Sequence, residues 1–225
     1  MAGTSDATIG VPDLYKEAVG VLQADPGKFL VLSAIGLAPS WFASLLSGSF
    51  FVSIIVLIVS LPVVALANGA IVMLVTNLRN RVKMPLAELL SGPRDGFIRL
   101  TIAYVLLSVV LGIGFVLLLV PGLVALAFFW VAWPLVVLEE TNGIDAMKRS
   151  VAMVDGLKRR ITMVILVLIA IYIVLGVFQV IVVGILGNMI GIVLGALIGI
   201  AINSMALTLV TLSYHRIKAD MVPSV

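Results

Sequence analysis

The stretch EETNGIDAMKRSVAMVDGLKRR, Glu139 to Arg160, holds nine charged residues in a chain of 225 in which only 11% are charged. An uninterrupted apolar run ends at Leu138 and another begins at Ile161. A charge-dense insert between two such runs reads as a short helix lying where membrane meets water. Asn142 is placed as its N-cap, with Asp145 three positions on, where a carboxylate suits the positive end of a helix. Ile144, Met147, Val151 and Val154 recur at helical spacing with Asp145, Lys148 and Arg149 opposite, and Gly156 stands where a helix stops. An amphipathic segment with basic flanks is a good interfacial helix. Packing of its apolar face on the rest of the protein is the other reading, and the two are compatible.

Outward from this segment lie three charge-free runs, Phe29–Leu78, Leu100–Leu138 and Ile161–Tyr214, of 50, 39 and 54 residues. One crossing takes about 20 apolar residues, so each run predicts two spans and a tight turn, six spans in all. The totals agree: 62% of residues are hydrophobic and mean hydropathy is +1.28. A soluble domain carries about 25% charged residues. The first 28 residues hold no apolar core of signal-peptide type, which predicts no cleaved leader. All 25 charged residues fall in segments 1–28, 79–99, 139–160 and 215–225. The intervening turns, near Ser47–Ser49, Val120–Gly122 and Gly184–Gly187, carry none. Six spans put the charged segments on one side. Lys and Arg collect on the cytoplasmic side, so both termini are expected there, in the cytoplasmic (inner) membrane of a cell. The net charge of +3 then reflects basic flanks of membrane spans and not a nucleic-acid surface.

The opening segment has two counterparts. YKEAVGVLQADPGKFL, PLAELLSGPRDGFIRL and DAMKRSVAMVDGLKRR, beginning at Tyr15, Pro85 and Asp145, align without a gap. Asp25, Asp95 and Asp155 share a column, followed by Gly27, Gly96 and Gly156. The expected fold is all-α: one integral membrane domain over residues 1–225, built of three units, about 11–78, 84–138 and 142–214. Each unit is a short cytoplasmic interfacial helix followed by a two-helix hairpin. In the second unit Gly92 and Pro93 limit the short helix to about a turn and a half, and Pro121-Gly122 is expected to form the outer turn. Pro39, Pro62 and Pro134 lie inside spans, where each allows a kink.

The spans hold no Asp, Glu, Lys, Arg or His, which weighs against proton relays, ion-coupled transport and voltage sensing. Asn68, Gln179, Asn188, Asn203, Tyr104 and Tyr172 are expected to hydrogen-bond between helices. Gly187, Gly191, Gly195 and Gly199 follow every four residues, and Gly36, Ser40, Ser44 and Gly48 form a weaker stripe. Such faces let helix backbones approach closely, either within one subunit, with the second stripe opposing the first, or between copies in a homo-oligomer. Without cysteine there is no disulfide, thiolate nucleophile or Cys-based metal site, and one histidine builds no His-rich site. No metal, no cofactor and no catalytic residue is expected.

From Pro121 to Arg160 the chain resembles the membrane domain that accompanies some glycerophosphodiester phosphodiesterases and occurs in stand-alone bacterial proteins. The pattern covers Pro121-Gly122, Trp133-Pro134, Glu139, Asp145 and Arg149-Ser150, with further agreement over Ala65–Leu90 and Thr208–Asp220. In the enzymes the chemistry resides in a separate soluble barrel, for which this chain has no counterpart, so the resemblance implies no catalytic residue here. The residues lead to a non-enzymatic membrane protein that organises membrane or a protein partner. Its expected contacts are anionic lipid headgroups, met by Arg79, Arg81, Lys83, Lys158, Arg159 and Arg160. The alternative is a transporter or channel for a lipid or neutral hydrophobic solute, for which a sideways-opening apolar cavity would speak.

Overall fold

The computed structural model describes residues 10–45, 50–92, 96–117 and 119–221. They form helices throughout: α1 (Val11–Ala24), α2 (Pro26–Leu45), α3 (Phe50–Arg79), α4 (Leu86–Ser91), α5 (Phe97–Leu117), α6 (Leu119–Phe128), α7 (Ala132–Leu138), α8 (Gly143–Met153), α9 (Lys158–Leu186) and α10 (Asn188–Met221). Five stretches are long and apolar enough to cross a membrane: Ile54–Arg79, Phe97–Leu117, Val120–Leu138, Lys158–Ile185 and Ile190–Met221. A sixth follows if the bent pair α1 and α2 is one span; the two meet at 95°. Short helices α1, α4 and α8 each precede a pair of long elements. The expected outer turn near Ser47–Ser49, Gly48, the Asp95 position and the side chains of Ser44 and Asn188 lie outside the described residues.

Hydrophobicity alone does not sort these helices, since most are apolar all round and lipid is as apolar as leucine. The buried core is therefore built where helices converge near their charged ends, from Leu32, Ile71, Val75, Leu100, Leu135, Ile161, Leu209 and Leu212, with α1 contributing Leu14 and Ala18. Large apolar side chains of α5 and α9 such as Ile102, Val116, Val174 and Val180 point outward, as bilayer-facing residues do.

Three features differ from the sequence expectation. Pro121-Gly122 is not the outer turn of the second unit; it lies in the first turn of α6. Proline is accepted in a first helical turn because that turn's N–H groups have no intrahelical partner. Gly122 has its own reason: a Cβ there would lie 2.5 Å from the Phe115 ring, and one on Gly114 would lie 3.2 Å from Gly122 Cα. Second, Gly187 is not part of a helical stripe. It ends α9 with φ of 85° and turns the chain into α10, in the left-handed region that favours glycine. Third, α8 buries Gly143, Ala146, Ser150 and Met153, while Ile144 is exposed and Met147 and Val151 are half-buried. A Cβ on Gly143 would sit 3.0 Å from the Ala103 backbone of α5, so the packing face combines small residues with Met153 and, from the expected stripe, Val154, which is buried just past the helix.

Pro134 acts on the α6–α7 span as its chemistry requires. Having no N–H, it cannot bond the carbonyl four residues back, and the helix breaks between Phe128 and Ala132. The indole N–H of Trp130 in this break donates to Ser213 Oγ at 3.1 Å.

Candidate functional site at the charged end

The C-terminal end of α10 organises this end of the bundle. Consecutive helical residues point about 100° apart, so Ser213, Tyr214, His215 and Arg216 radiate toward different neighbours. Tyr214 donates to Glu139 Oε1 at 2.6 Å, just past α7. Thr76 of α3 gives its one hydroxyl proton to the Val72 carbonyl at 3.0 Å. His215 Nε2, 3.0 Å from the same hydroxyl, is then the donor to it. Arg216 reaches Glu17 of α1, with its Nε donating at 3.1 Å. One turn further on, Lys218 Nζ bonds Glu139 Oε1 at 2.8 Å and the Tyr214 oxygen at 3.0 Å. Tyr15 of α1 adds a bond of 2.9 Å to the Val164 carbonyl of α9.

Glu139 is the hub. Its second oxygen pairs with Arg149 of α8, so one carboxylate joins α7, α8 and α10. Its side chain is only 17% exposed. Burial alone would raise its pKa, but the hydrogen bonds from Lys218, Tyr214 and Arg149, with the charge of Arg149, outweigh that and bring it down to about 2. A carboxylate held this firmly in its ionised form is an anchor, not a proton carrier at neutral pH.

Of the residues that carry the resemblance, Glu139 and Arg149 pair here, and Asp145 and Ser150 lie on the same α8. Asn142 caps α8, accepting from the Asp145 N–H at 2.9 Å and donating to the Asp145 carboxylate at 2.6 Å. Ser150 donates to the Phe128 carbonyl at 2.8 Å, supplying the donor that the α6–α7 break withdraws. Trp133 meets Tyr104 edge to face, with ring centroids 5.7 Å apart, and its indole N–H has no acceptor among the described residues. Pro121-Gly122 stands apart, at the far end of the same span. Tyr214, Lys218, Glu17 and Arg216 were not singled out from sequence, although their crowding at the border of an apolar run was the available signal.

The basic residues divide. Arg79, Arg81, Lys83 and Arg159 are exposed, and no ion pair involves them among the described residues. Lys158 pairs with Asp155 at 2.8 Å and lies 4.8 Å over the Phe128 ring; Arg160 has a partner within the protein. Arg81 occupies the left-handed region at φ of 57°, past the end of α3, where the Val82 and Arg81 N–H groups bond back to Asn77 and Leu78. A non-glycine residue there costs about 1 kcal/mol. Glu140 occupies the same region just past α7, at φ of 53°, and pairs with Arg99 at 3.4 Å.

Gly191 and Gly195 face the adjoining α9 of the same chain. Cβ atoms on Gly191 and Gly195 would meet Val183 and Gln179 of the adjoining α9 at 2.1 and 2.3 Å, and Gln179 donates to the Gly191 carbonyl at 3.3 Å. The glycines thus seat a polar side chain within the bilayer. α2 reaches the stripe at Gly199, through Leu37. Gly36 faces Ala67 of α3 instead, and Ser40 donates to the Leu37 carbonyl of its own helix.

Deeper in the bundle is a cavity of about 360 Å³ between α3, α5, α6, α7, α9 and α10, lined by Leu107, Phe129, Trp130, Trp133 and Leu207 among others. Asn68, Tyr104 and Asn203 line it and also a second cavity of about 220 Å³ beside α2. Asn203 Nδ2 donates to Ser33 at 3.3 Å and to Asn68 Oδ1 at 3.5 Å, and Ser33 bonds Ser204 at 2.7 Å.

Helix length, apolarity and the gathering of charge where helix ends meet define a multi-span, all-α integral membrane protein. No protein-family model matches the chain, and no curated protein or solved structure matches it either.

Proposed function

We propose that the chain is a non-enzymatic six-span protein of a bacterial inner membrane, with the charged end and both termini in the cytoplasm. In this reading three hairpin units, each led by a helix at the interface, organise membrane or a protein partner through contacts with anionic lipid. The likeness to the phosphodiesterase-associated membrane domain is part of the same proposal. The observation that carries it is the two-sided α8. Gly143, Ala146, Ser150 and Met153 hold it on the bundle, leaving Ile144 exposed beside the basic Lys148 and Arg149. Such a helix can rest on acyl chains with its cations among headgroups. The right-angle bend between α1 and α2 suits the same placement, and Arg79, Arg81, Lys83 and Arg159 are available for headgroups at about 1 kcal/mol each.

Single cysteines test orientation in a chain that has none. Asn80→Cys is expected to stay silent to impermeant thiol reagents applied to whole cells, and Val120→Cys to react. The opposite pattern would overturn the placement. A fluorophore at Ile144→Cys should blue-shift on reconstitution into bilayers; emission typical of bulk water would sink the interfacial reading of α8. A second reading, a carrier for a neutral hydrophobic molecule, is favoured by the apolar cavity.

A further inference from the structure

The cavity between α3, α5 and α10 is chemically selective, and we infer that it binds a neutral lipid carrying a hydroxyl group. Its volume, about 360 Å³, is in the range of small-ligand sites, about 300–1,000 Å³. Its wall is apolar and aromatic, and none of its lining residues is charged. A phosphate or carboxylate buried there would have no counter-charge, so charged headgroups are rejected. The polar groups are placed at depth. Asn203 lies 11 residues before Tyr214 on α10, about 16 Å from the charged end at 1.5 Å per residue. That is near the middle of a hydrocarbon layer about 30 Å thick.

The second observation concerns what the wall leaves unused. Asn203 Nδ2 donates to Asn68 Oδ1, joining the pair, and to Ser33. Trp133, on the same wall and only 8% exposed, has an indole N–H without an acceptor among the described residues. Unfilled polar groups at this depth have no water to turn to. The wall therefore offers the Trp133 N–H as a donor beside the amides of Asn68 and Asn203, and a hydroxyl is a small neutral group that can accept from an N–H and donate to an amide oxygen. An alkane answers neither.

The inference deepens the carrier reading and rests on it for purpose, though not for binding. The test uses the full chain carrying Trp41→Phe, so that fluorescence reports Trp130 and Trp133 in the cavity. The probes are a brominated long-chain alcohol, the brominated fatty acid of equal length at pH 8 and the brominated alkane. Saturable quenching by the alcohol is expected, about tenfold tighter than by the alkane and absent with the carboxylate. Asn203→Leu should erase the advantage of the alcohol over the alkane, and Ala206→Phe, which fills the cavity, should abolish quenching by both. Equal affinities for alcohol and alkane, or quenching that survives Ala206→Phe in a variant with native thermal unfolding, would overturn the assignment. Selective binding without transfer of the alcohol between vesicles would sink the carrier reading and uphold the site.

Discussion

The two ends of the bundle are held by different forces. At the charged end, directional bonds from Tyr214, His215, Arg216 and Lys218 tie α10 to α1, α3 and α7. At the opposite end the helices meet through shape: Gly114 against Gly122, and Gly191 and Gly195 around Val183 and Gln179. Among the described residues the left-handed positions also differ, with Gly187 at the uncharged end and Gly156, Arg81 and Glu140 at the charged one. One end can be opened by removing or titrating a single carboxylate. The other has nothing to titrate and yields only to added volume.

The largest effect is expected at Glu139. Glu139→Gln keeps the shape but leaves Arg149 and Lys218 without a counter-charge. Fully buried pairs lose about 3–5 kcal/mol on such a change. Both partners are about half exposed, which lowers the expectation to about 2–3 kcal/mol. The pH dependence has a definite sign. The folded carboxyl, at about 2, lies below the ordinary 4.5, so its stabilisation is complete above about pH 4.5 and is lost as pH falls from there through 2. Thermal unfolding in detergent should show this acid loss in the wild type and a much flatter profile in Glu139→Gln. An equal acid loss in both would remove Glu139 from the role of hub.

The uncharged end should respond to bulk instead. Gly191→Leu places a side chain where Val183 and Gln179 already sit, and overpacking costs about 1–3 kcal/mol. Its pH profile should keep the wild-type slope. Ile192→Leu, at a position 66% exposed, should be silent. The oligomeric state, measured by light scattering with detergent subtracted, should be unchanged in both. Dissociation of Gly191→Leu into smaller folded species would move the stripe from the inside of the chain to an interface between copies.

The ends also differ in how far they are legible in sequence. The charge-free runs fix where helices lie because hydrocarbon tolerates no unpaired backbone, and that argument needs no tertiary knowledge. The N-cap at Asn142 and the stop near Gly156 are equally local. The misreadings arise where packing decides. On α8 the periodicity of Ile144, Met147, Val151 and Val154 was visible and Val154 is buried, but Gly143, Ala146 and Ser150 carry little hydrophobic signal and take most of the buried face by letting backbones approach. Pro121-Gly122 reads as a turn because both residues favour one, yet both also suit a helix start against a bulky Phe115. The Glu139 hub joins residues 75 and 79 positions apart, and no spacing rule connects them.

A smaller effect is expected at the seam between α6 and α8. Ser150→Ala removes the donor to the Phe128 carbonyl at the helix break. A buried acceptor left without a partner costs about 1–3 kcal/mol, with the lower part expected here because a carbonyl tolerates under-satisfaction better than an N–H does. The comparison predicts that the loss adds to that of Gly191→Leu, since the two sites share no partner. It should fall short of additive with Glu139→Gln, because Arg149 and Ser150 are neighbours on α8. Full additivity in both double variants would mean that the seam and the hub are independent.

The smallest effect is expected at Arg81, and it should carry two opposite signs. Its backbone is left-handed at φ of 57°, which disfavours any residue with a Cβ. Arg81→Gly relieves that strain, at the cost of greater freedom in the unfolded chain. The net expectation is a gain of under about 1 kcal/mol in thermal unfolding, since glycine is the usual residue at the left-handed position that closes a helix. The same change removes one exposed cation, so preference for anionic over zwitterionic lipid, read by competition in mixed nanodiscs, should fall by about 1 kcal/mol. Greater stability with weaker lipid preference would mean that the charged end accepts backbone strain to keep an arginine at the headgroups. Greater stability with unchanged lipid preference would strip Arg81 of that role, and lower stability would show that its side chain, not its charge, holds the turn.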